Sequence, residues 1–330
     1  MKDRSVSVEN MRGLPLKVSE RRAKKVAGKP LKKFGVLRVY LTLLTNPATI
    51  GVSYKFLWTV FKNYLGTQFL EKWGIYKIPI VRVDHPLDKR IPFVPEKVSV
   101  YLDFVDFFIR PITMLLIKLG RKKGSQCGKE WFSKLTIVYS EAGRMYKTFL
   151  STMERPNYTA TRAFKIIHTF DPHLLCVPSL HISIIVLCYS FYGDLFKRLG
   201  FSEEERAFWG KELYVEATEI AESVLYIKQH SVNCVPAALY MITKLFPSLF
   251  SPVEATHFVN DLFLKATDID QSDVHLIKEH ILFMYERFLL EGTMEDDWRE
   301  PVIRWCRDYK TEDEEKKIQQ DAQTADRLKS

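Results

Sequence analysis

Residues 172–193 carry no Lys, Arg, Asp or Glu, and they are bounded by Asp171 and Asp194. A helix that is apolar all round must be buried, either in a protein core or in a membrane. This stretch is not purely greasy, however: it holds Pro172, His173, Pro178, Ser179 and His181. Proline suits the first turn of a helix because it has no N–H to leave unpaired. The N–H groups that follow have no intrahelical partners and, with the helix dipole, favour an anion. Pro178-Ser179-Leu180-His181 therefore reads as a phosphate-sized anion site with a hydroxyl and an imidazole beside it. A core helix with a buried, hydrogen-bonded histidine is the other reading of the same residues.

Charge placement narrows the function classes. The net charge of the 330-residue chain is +9. Residues 1–35 hold eleven Lys/Arg against three Asp/Glu, a net of +8, so the remainder is close to neutral. A nucleic-acid-binding body is not indicated. The basic segment reads as a flexible arm over residues 1–33, suited to solvation or to an anionic membrane surface. Five scattered cysteines imply no disulfide framework and fit a reducing compartment. The first 30 residues lack the apolar core of a signal peptide. Apart from 172–193 and the Asn46-Pro47-containing run 39–54, uncharged stretches are short of the ~20 residues a span needs. The expectation is a cytoplasmic or peripheral membrane protein.

Strand signals are sparse, so the fold class is all-α. Residues 34–97 form an N-terminal helical segment followed by a connector carrying Pro79, Pro86, Pro92 and Pro95. Residues 98–309 form the main helical domain, and 310–330 a polar tail. Arg121 to Gly128 reads as a polar turn, and a helix is expected from Lys129 to about Met153. Ser202-Glu-Glu-Glu205 and Ser251-Pro-Val-Glu254 are capping boxes. The helix after the first of these is expected to reach His230 and can break at Gly210. Ser272 is the expected cap of a helix with one apolar stripe, Val274, Ile277, Ile281, Met284 and Phe288, which Gly292 ends.

Cations and a second histidine flank the central stretch. Lys147 and Arg155-Pro156 lie upstream. Ser223 to Cys234 lies downstream and contains Lys228 and His230. Phosphoryl transfer needs positive charge on the non-bridging oxygens, an in-line nucleophile and an acid for the leaving oxygen. One histidine can attack and form a phosphohistidine while the other protonates the leaving group, with no metal ion or cofactor.

This order of elements resembles the type-2 phosphatidic acid phosphatase/vanadium haloperoxidase superfamily, whose pattern is K-x6-R-P, P-S-G-H and S-R-x5-H-x3-D. Arg155-Pro156, Pro178-Ser-Leu-His181 and Ser223-x6-His230 are the matching pieces, over roughly residues 98–245. The P-S-L-H form resembles the inositolphosphorylceramide-synthase-like branch. The resemblance implies a compact helical bundle whose site comes from residues 129–156, 178–193 and 211–245. It implies His230 as nucleophile, His181 as acid/base, and Lys147, Arg155, Ser179 and Lys228 at the phosphate. The substrate it implies is a phosphate ester, most naturally a lipid.

The chain departs from the pattern at four points. Lys147 precedes Arg155 by eight residues, which on a helix overshoots the shared face by about 80°. Leu180 replaces glycine, Val224 replaces arginine, and Cys234 replaces the aspartate that would orient the nucleophilic imidazole. A catalytically degenerate member that binds phosphate or lipid without turnover is therefore the alternative. A further class is a structural zinc site, since His230 and Cys234 are spaced i,i+4, with Cys176, His181 and Cys188 as other candidate ligands. No Cys-x-x-Cys pair accompanies them. His168 and His173 read as loop histidines, and His275 and His280 as surface.

Overall fold

A computed structural model of the chain describes residues 18–317. In chain order the elements are α1 (Glu20–Val26), α2 (Leu37–Thr45) and α3 (Ile50–Val60), which runs through a π-helical turn (Phe61–Gly66) into α4 (Thr67–Lys72). Then come β1 (Ile80–Arg82), α5 (Val98–Leu102), α6 (Phe104–Leu119), α7 (Arg121–Tyr146) and β2 (Leu150–Thr152). The second half holds α8 (Arg162–Phe170), α9 (Leu180–Arg198), α10 (Glu203–Tyr226) and α11 (Cys234–Leu245). It closes with α12 (Pro252–Asp261), α13 (Gln271–Glu291) and α14 (Arg299–Asp308). The class is all-α. A two-stranded parallel sheet pairs β1 with β2, Ile80 opposite Leu150 and Arg82 opposite Thr152.

The charge-free stretch becomes α9, the centre of the packing. It lies against α6, α7, α10 and α11. Ile182, Ile184, Ile185, Val186, Leu187 and Phe191 are fully buried. Among the described residues this is the one helix long and apolar enough to cross a membrane, and 72% of its apolar window is covered by the rest of the fold. Covering every face of α9 is how this chain removes that surface from water.

Several boundaries move. The expected turn at 121–128 is the first two turns of α7, and the break is Gly120, at φ +83°. Gly124 and Gly128 are there for close approach. A Cβ on Gly124 would lie 2.6 Å from Leu116 Cα of α6, and one on Gly128 2.9 Å from Leu43 Cδ1 of α2. Packing thus overrides the poor helix propensity of glycine. At its other end α7 stops at Tyr146, so Lys147 and Arg155 do not share a helix and their spacing on a helical face has no meaning. Gly210 does not break α10. Both capping boxes form. Asp270 rather than Ser272 is the N-cap residue of α13, while its predicted apolar stripe is buried and Gly292 ends it.

Part of the segment expected as a flexible arm is folded. Residues 1–17 lie outside the described residues, but 18–33 are folded. Val26 and Leu31 are buried, α1 packs on α6, and the Leu31 N–H donates to a Glu212 carboxylate oxygen (2.9 Å). Two apolar anchors outweigh the charge around them. In the tail, residues 318–330 lie outside the described residues, whereas Thr311 is buried and its hydroxyl accepts the Glu314 N–H (3.4 Å).

A buried ion cluster ties α6 to α10. The Arg110 guanidinium donates to Asp103 and to Glu216 Oε1 (2.9 Å), and both Arg110 and Glu216 are buried. Removing one member of such a cluster strands charge in the core, at about 3–5 kcal/mol. Arg110→Met is expected to lower unfolding stability by that amount in urea titrations. Adding Glu216→Gln should recover part of the loss. An unchanged midpoint in the single variant would show that the cluster carries no stability.

Candidate functional site: a buried histidine and cysteine cluster

The site is assembled by three loop-borne segments. The first is 171–179, tied to β2. Cys176 N–H donates to the Ser151 carbonyl (3.2 Å), Ser151 N–H to the Leu174 carbonyl (2.9 Å), and Val177 N–H to Ser151 Oγ (2.7 Å). His173 takes a positive φ of 63° and its N–H donates to Asp171 Oδ1 (2.9 Å).

The second segment is the start of α9. Ser179, not Pro178, stands at the helix boundary as N-cap, and its Oγ accepts the Ile182 N–H (3.3 Å). Pro178 sits one residue outside, its carbonyl accepting from the Tyr146 hydroxyl (2.7 Å). Ser179 is fully buried and committed to the cap.

The third segment is the turn between α10 and α11. The helix ends at Tyr226, Lys228 takes φ +56°, and the N–H groups of Gln229 and His230 both donate to the Val224 carbonyl (2.9 and 3.2 Å). This left-handed closure satisfies helix-end carbonyls and takes His230 out of the helix expected for it. Lys228 is spent inside the fold: its ammonium donates to the Asp88 and Ile91 carbonyls. Asp88 in turn accepts the Val232 N–H (2.8 Å), and burial pushes its carboxyl up to about 6.

These segments bring His181 and His230 together. His181 Nδ1 lies 3.2 Å from His230 Nε2, within hydrogen-bond range. Tyr101 and Phe104 cover the His181 ring at centroid distances of 4.7 and 4.5 Å. Burial pushes both imidazoles down to about 3, with each other's proximity adding to the effect at His181. They are neutral at physiological pH. The cavity between His173, Cys176, Leu180, His181, Gln229 and His230 has a volume of about 20 Å³. That is room for about one water. The expected phosphate-sized gap is absent among the described residues.

The expected clamp does not assemble around the pair. Lys147 is exposed at the C-cap of α7. Arg155 is half-buried and reaches the cavity wall from outside, donating to Gln229 Oε1 and the Asp171 carbonyl (both 3.4 Å). Its other side faces a larger pocket of about 430 Å³ shared with Arg82, Lys89, Pro156 and Lys228. Val224 is fully buried, so an arginine there would have to displace core.

Behind His230 lies what sequence reading only partly found. Cys176, Cys234 and His230 place one ligand atom each within 4.8 Å of one another, all buried. His173 Nε2 donates to the Gln229 carbonyl (2.9 Å) and lies 3.5 Å from Cys176 Sγ. The Cys176 thiol is drawn down despite burial by its contacts with Cys234 and His173, and Cys234 is driven up by burial. Cys188 points elsewhere into the core of α9, its thiol raised by burial and then by Glu216. Two other histidines move from their expected places. His168 lies within α8, not in a loop. His280 is not a surface residue: its Nε2 hydrogen-bonds Asn233 Oδ1 (2.8 Å), and it stacks on His85 at 3.9 Å.

Comparison with family models, curated proteins and solved structures finds no match.

The His85–His280 stack gives an acid-sensitive joint beside the cluster. Burial lowers both, His280 to about 4, with His85 as its second cause. Between pH 6.5 and 4 the unfolded chain therefore binds a proton at position 280 that the native state refuses. The associated stability is complete above about pH 6.5 and is lost as pH falls towards 4, with a slope of about 1.4 kcal/mol per pH unit for one proton. His280→Gln keeps a donor for Asn233 and should reduce the slope of stability against pH by that amount. An identical slope in urea titrations at pH 7, 6 and 5 would remove His280 from the acid response.

Proposed function

We propose that this chain is a phosphatidic acid phosphatase-like helical protein that binds phosphate-bearing lipid at an anionic membrane surface without hydrolysing it. One observation carries the reading. Residues 21–70 contain ten Lys/Arg and no Asp or Glu. They build a groove of about 880 Å³ in which Arg22, Lys25, Lys29, Lys33 and Arg38 stand over Phe34, Leu116 and Ile117. Beside it α2 exposes Leu37 and Leu41, and α3 and the π-helical turn expose Tyr54, Leu57, Trp58 and Phe61 at i, i+3, i+4 and i+7. Trp58 is 63% exposed although the opposite face of α3 already packs on α7 through Phe56. A helix apolar on both faces, with interfacial aromatics and a cationic border, suits the headgroup boundary of a bilayer.

Absence of turnover is the reading favoured by the closed histidine pair. A phosphate cannot stand between nitrogens 3.2 Å apart in a one-water cavity, and Cys234 supplies no carboxylate to stabilise an imidazolium. A second reading, hydrolysis through a phosphohistidine at His230 with His181 as acid and Arg155 at the phosphate, is favoured by the convergence of two imidazoles 49 residues apart in sequence. It requires the cavity to open several-fold.

Vesicle co-sedimentation separates the possibilities. The full chain should bind vesicles containing phosphatidic acid or phosphatidylserine, and release as salt rises. With each basic residue near the surface worth about 1 kcal/mol, Lys29→Gln/Lys33→Gln/Arg38→Gln should weaken binding about 100-fold. Phosphate release from phosphatidic acid should be nil. Release that His230→Ala abolishes would establish the hydrolytic reading. Equal binding to neutral and anionic vesicles would remove the lipid reading.

A further inference from the structure

We infer that Cys176, Cys234 and His230 form a zinc site in the core. Their ligand atoms come from the loop before α9, the first residue of α11 and the turn before it, and they already lie within 4.8 Å of one another. Tetrahedral zinc, with Zn–S near 2.3 Å and Zn–N near 2.0 Å, needs ligand atoms about 3.5 Å apart. The closure required is about an ångström.

A second observation points into the cluster. His230 Nδ1 is buried and has no hydrogen-bond partner among the described residues. A buried polar atom left unpaired is satisfied by an ordered water, a ligand or an ion, and the two thiols beside this one make an ion the fitting partner. The ring's other nitrogen, Nε2, is engaged with His181 Nδ1. Metal-bound imidazoles nearly always donate their second N–H to such an acceptor, which fixes ring and tautomer. His181 fills that role here, so Nδ1 is the nitrogen free to ligate. The charge also balances. Two thiolates and a neutral imidazole around a divalent cation make a neutral unit, which a core tolerates where an isolated ion would not. Binding releases the two thiol protons. Thiolate and imidazole together select zinc over magnesium or calcium. His173, 3.5 Å from Cys176 Sγ, keeps its Nε2 on the Gln229 carbonyl, leaving the fourth position to water.

The site goes beyond lipid binding and does not depend on it, since the basic groove and the cluster share no residue. The test is metal content of the reduced full-length chain after loading with Zn²⁺ or, separately, Co²⁺ and removal of free ion. One equivalent is expected, with thiolate-to-cobalt charge-transfer bands and the intense visible bands of a tetrahedral site. Cys176→Ser and Cys234→Ser should each lose both signals, and Cys188→Ser, a buried cysteine outside the cluster, should keep them. Should a serine variant fail to fold, the native mass of the folded wild type decides: loading should add one zinc less two protons, and chelator should reverse the change. A folded wild type that takes up no stoichiometric metal overturns the site. So does a native chain two hydrogens lighter through a Cys176–Cys234 disulfide. Vesicle binding is read independently, so either proposal can fail alone.

Discussion

A nineteen-residue helix with no charge before Asp194 has to be covered on every side, and the remaining architecture follows from that need. Four helices supply the cover. Two of them, α6 and α10, bring charged groups into the core with them, and Arg110 is paired there with Asp103 and Glu216, with Lys32 as a second cation at Glu216. A third, α7, comes close to α6 and α2 by presenting glycine at 124 and 128. The same coverage fixes the histidines. His181 is on the first turn of α9, so enclosing the helix encloses the imidazole, and its neutrality is a consequence of position.

His230 is held by a different device. The chain leaves α10 through a left-handed residue whose ammonium is tied to two backbone carbonyls. The direction of the turn is thereby fixed, and Asp88 clasps it again at Val232. A residue that resembles a phosphate ligand in the sequence is in the fold a tether. The distinction matters for the chemistry: with Lys228 held on backbone carbonyls, Val224 in the core and a thiol at Cys234, the paired imidazoles have no fixed cation or carboxylate from these positions.

Much of the architecture was legible in the residues. The all-α class, the two capping boxes and the apolar stripe of α13 rest on local signals, and local signals suffice for them. The convergence of His181 and His230 was legible only through the spacing of a family pattern. The turn at Gly120 and the helix over 121–128 were not, because glycine reads as a breaker unless the neighbour it admits is known. The role of Lys228 needed the carbonyls of Asp88 and Ile91, about 140 residues away. Cys176 stands among the candidate ligands in the sequence beside His181 and Cys188, but nothing there singles it out or draws His173 to it, because the strap of 171–179 to β2 has no local signal. His280 was misplaced for a similar reason: its partner Asn233 lies on another helix boundary.

Cys176 lies 54 residues before His230, and the cluster exists only where the loop leading into α9 meets the α10–α11 turn. Such a junction has no partial form. Its geometry exists when β2, α9 and the α10–α11 turn are all in place, and disappears when any one departs. Free energy gained by occupying it is therefore credited to the whole molecule and not to a neighbourhood. An occupied junction would raise the single cooperative transition of the chain and slow the release of the central helix, while leaving the exchange of surface helices with solvent unchanged.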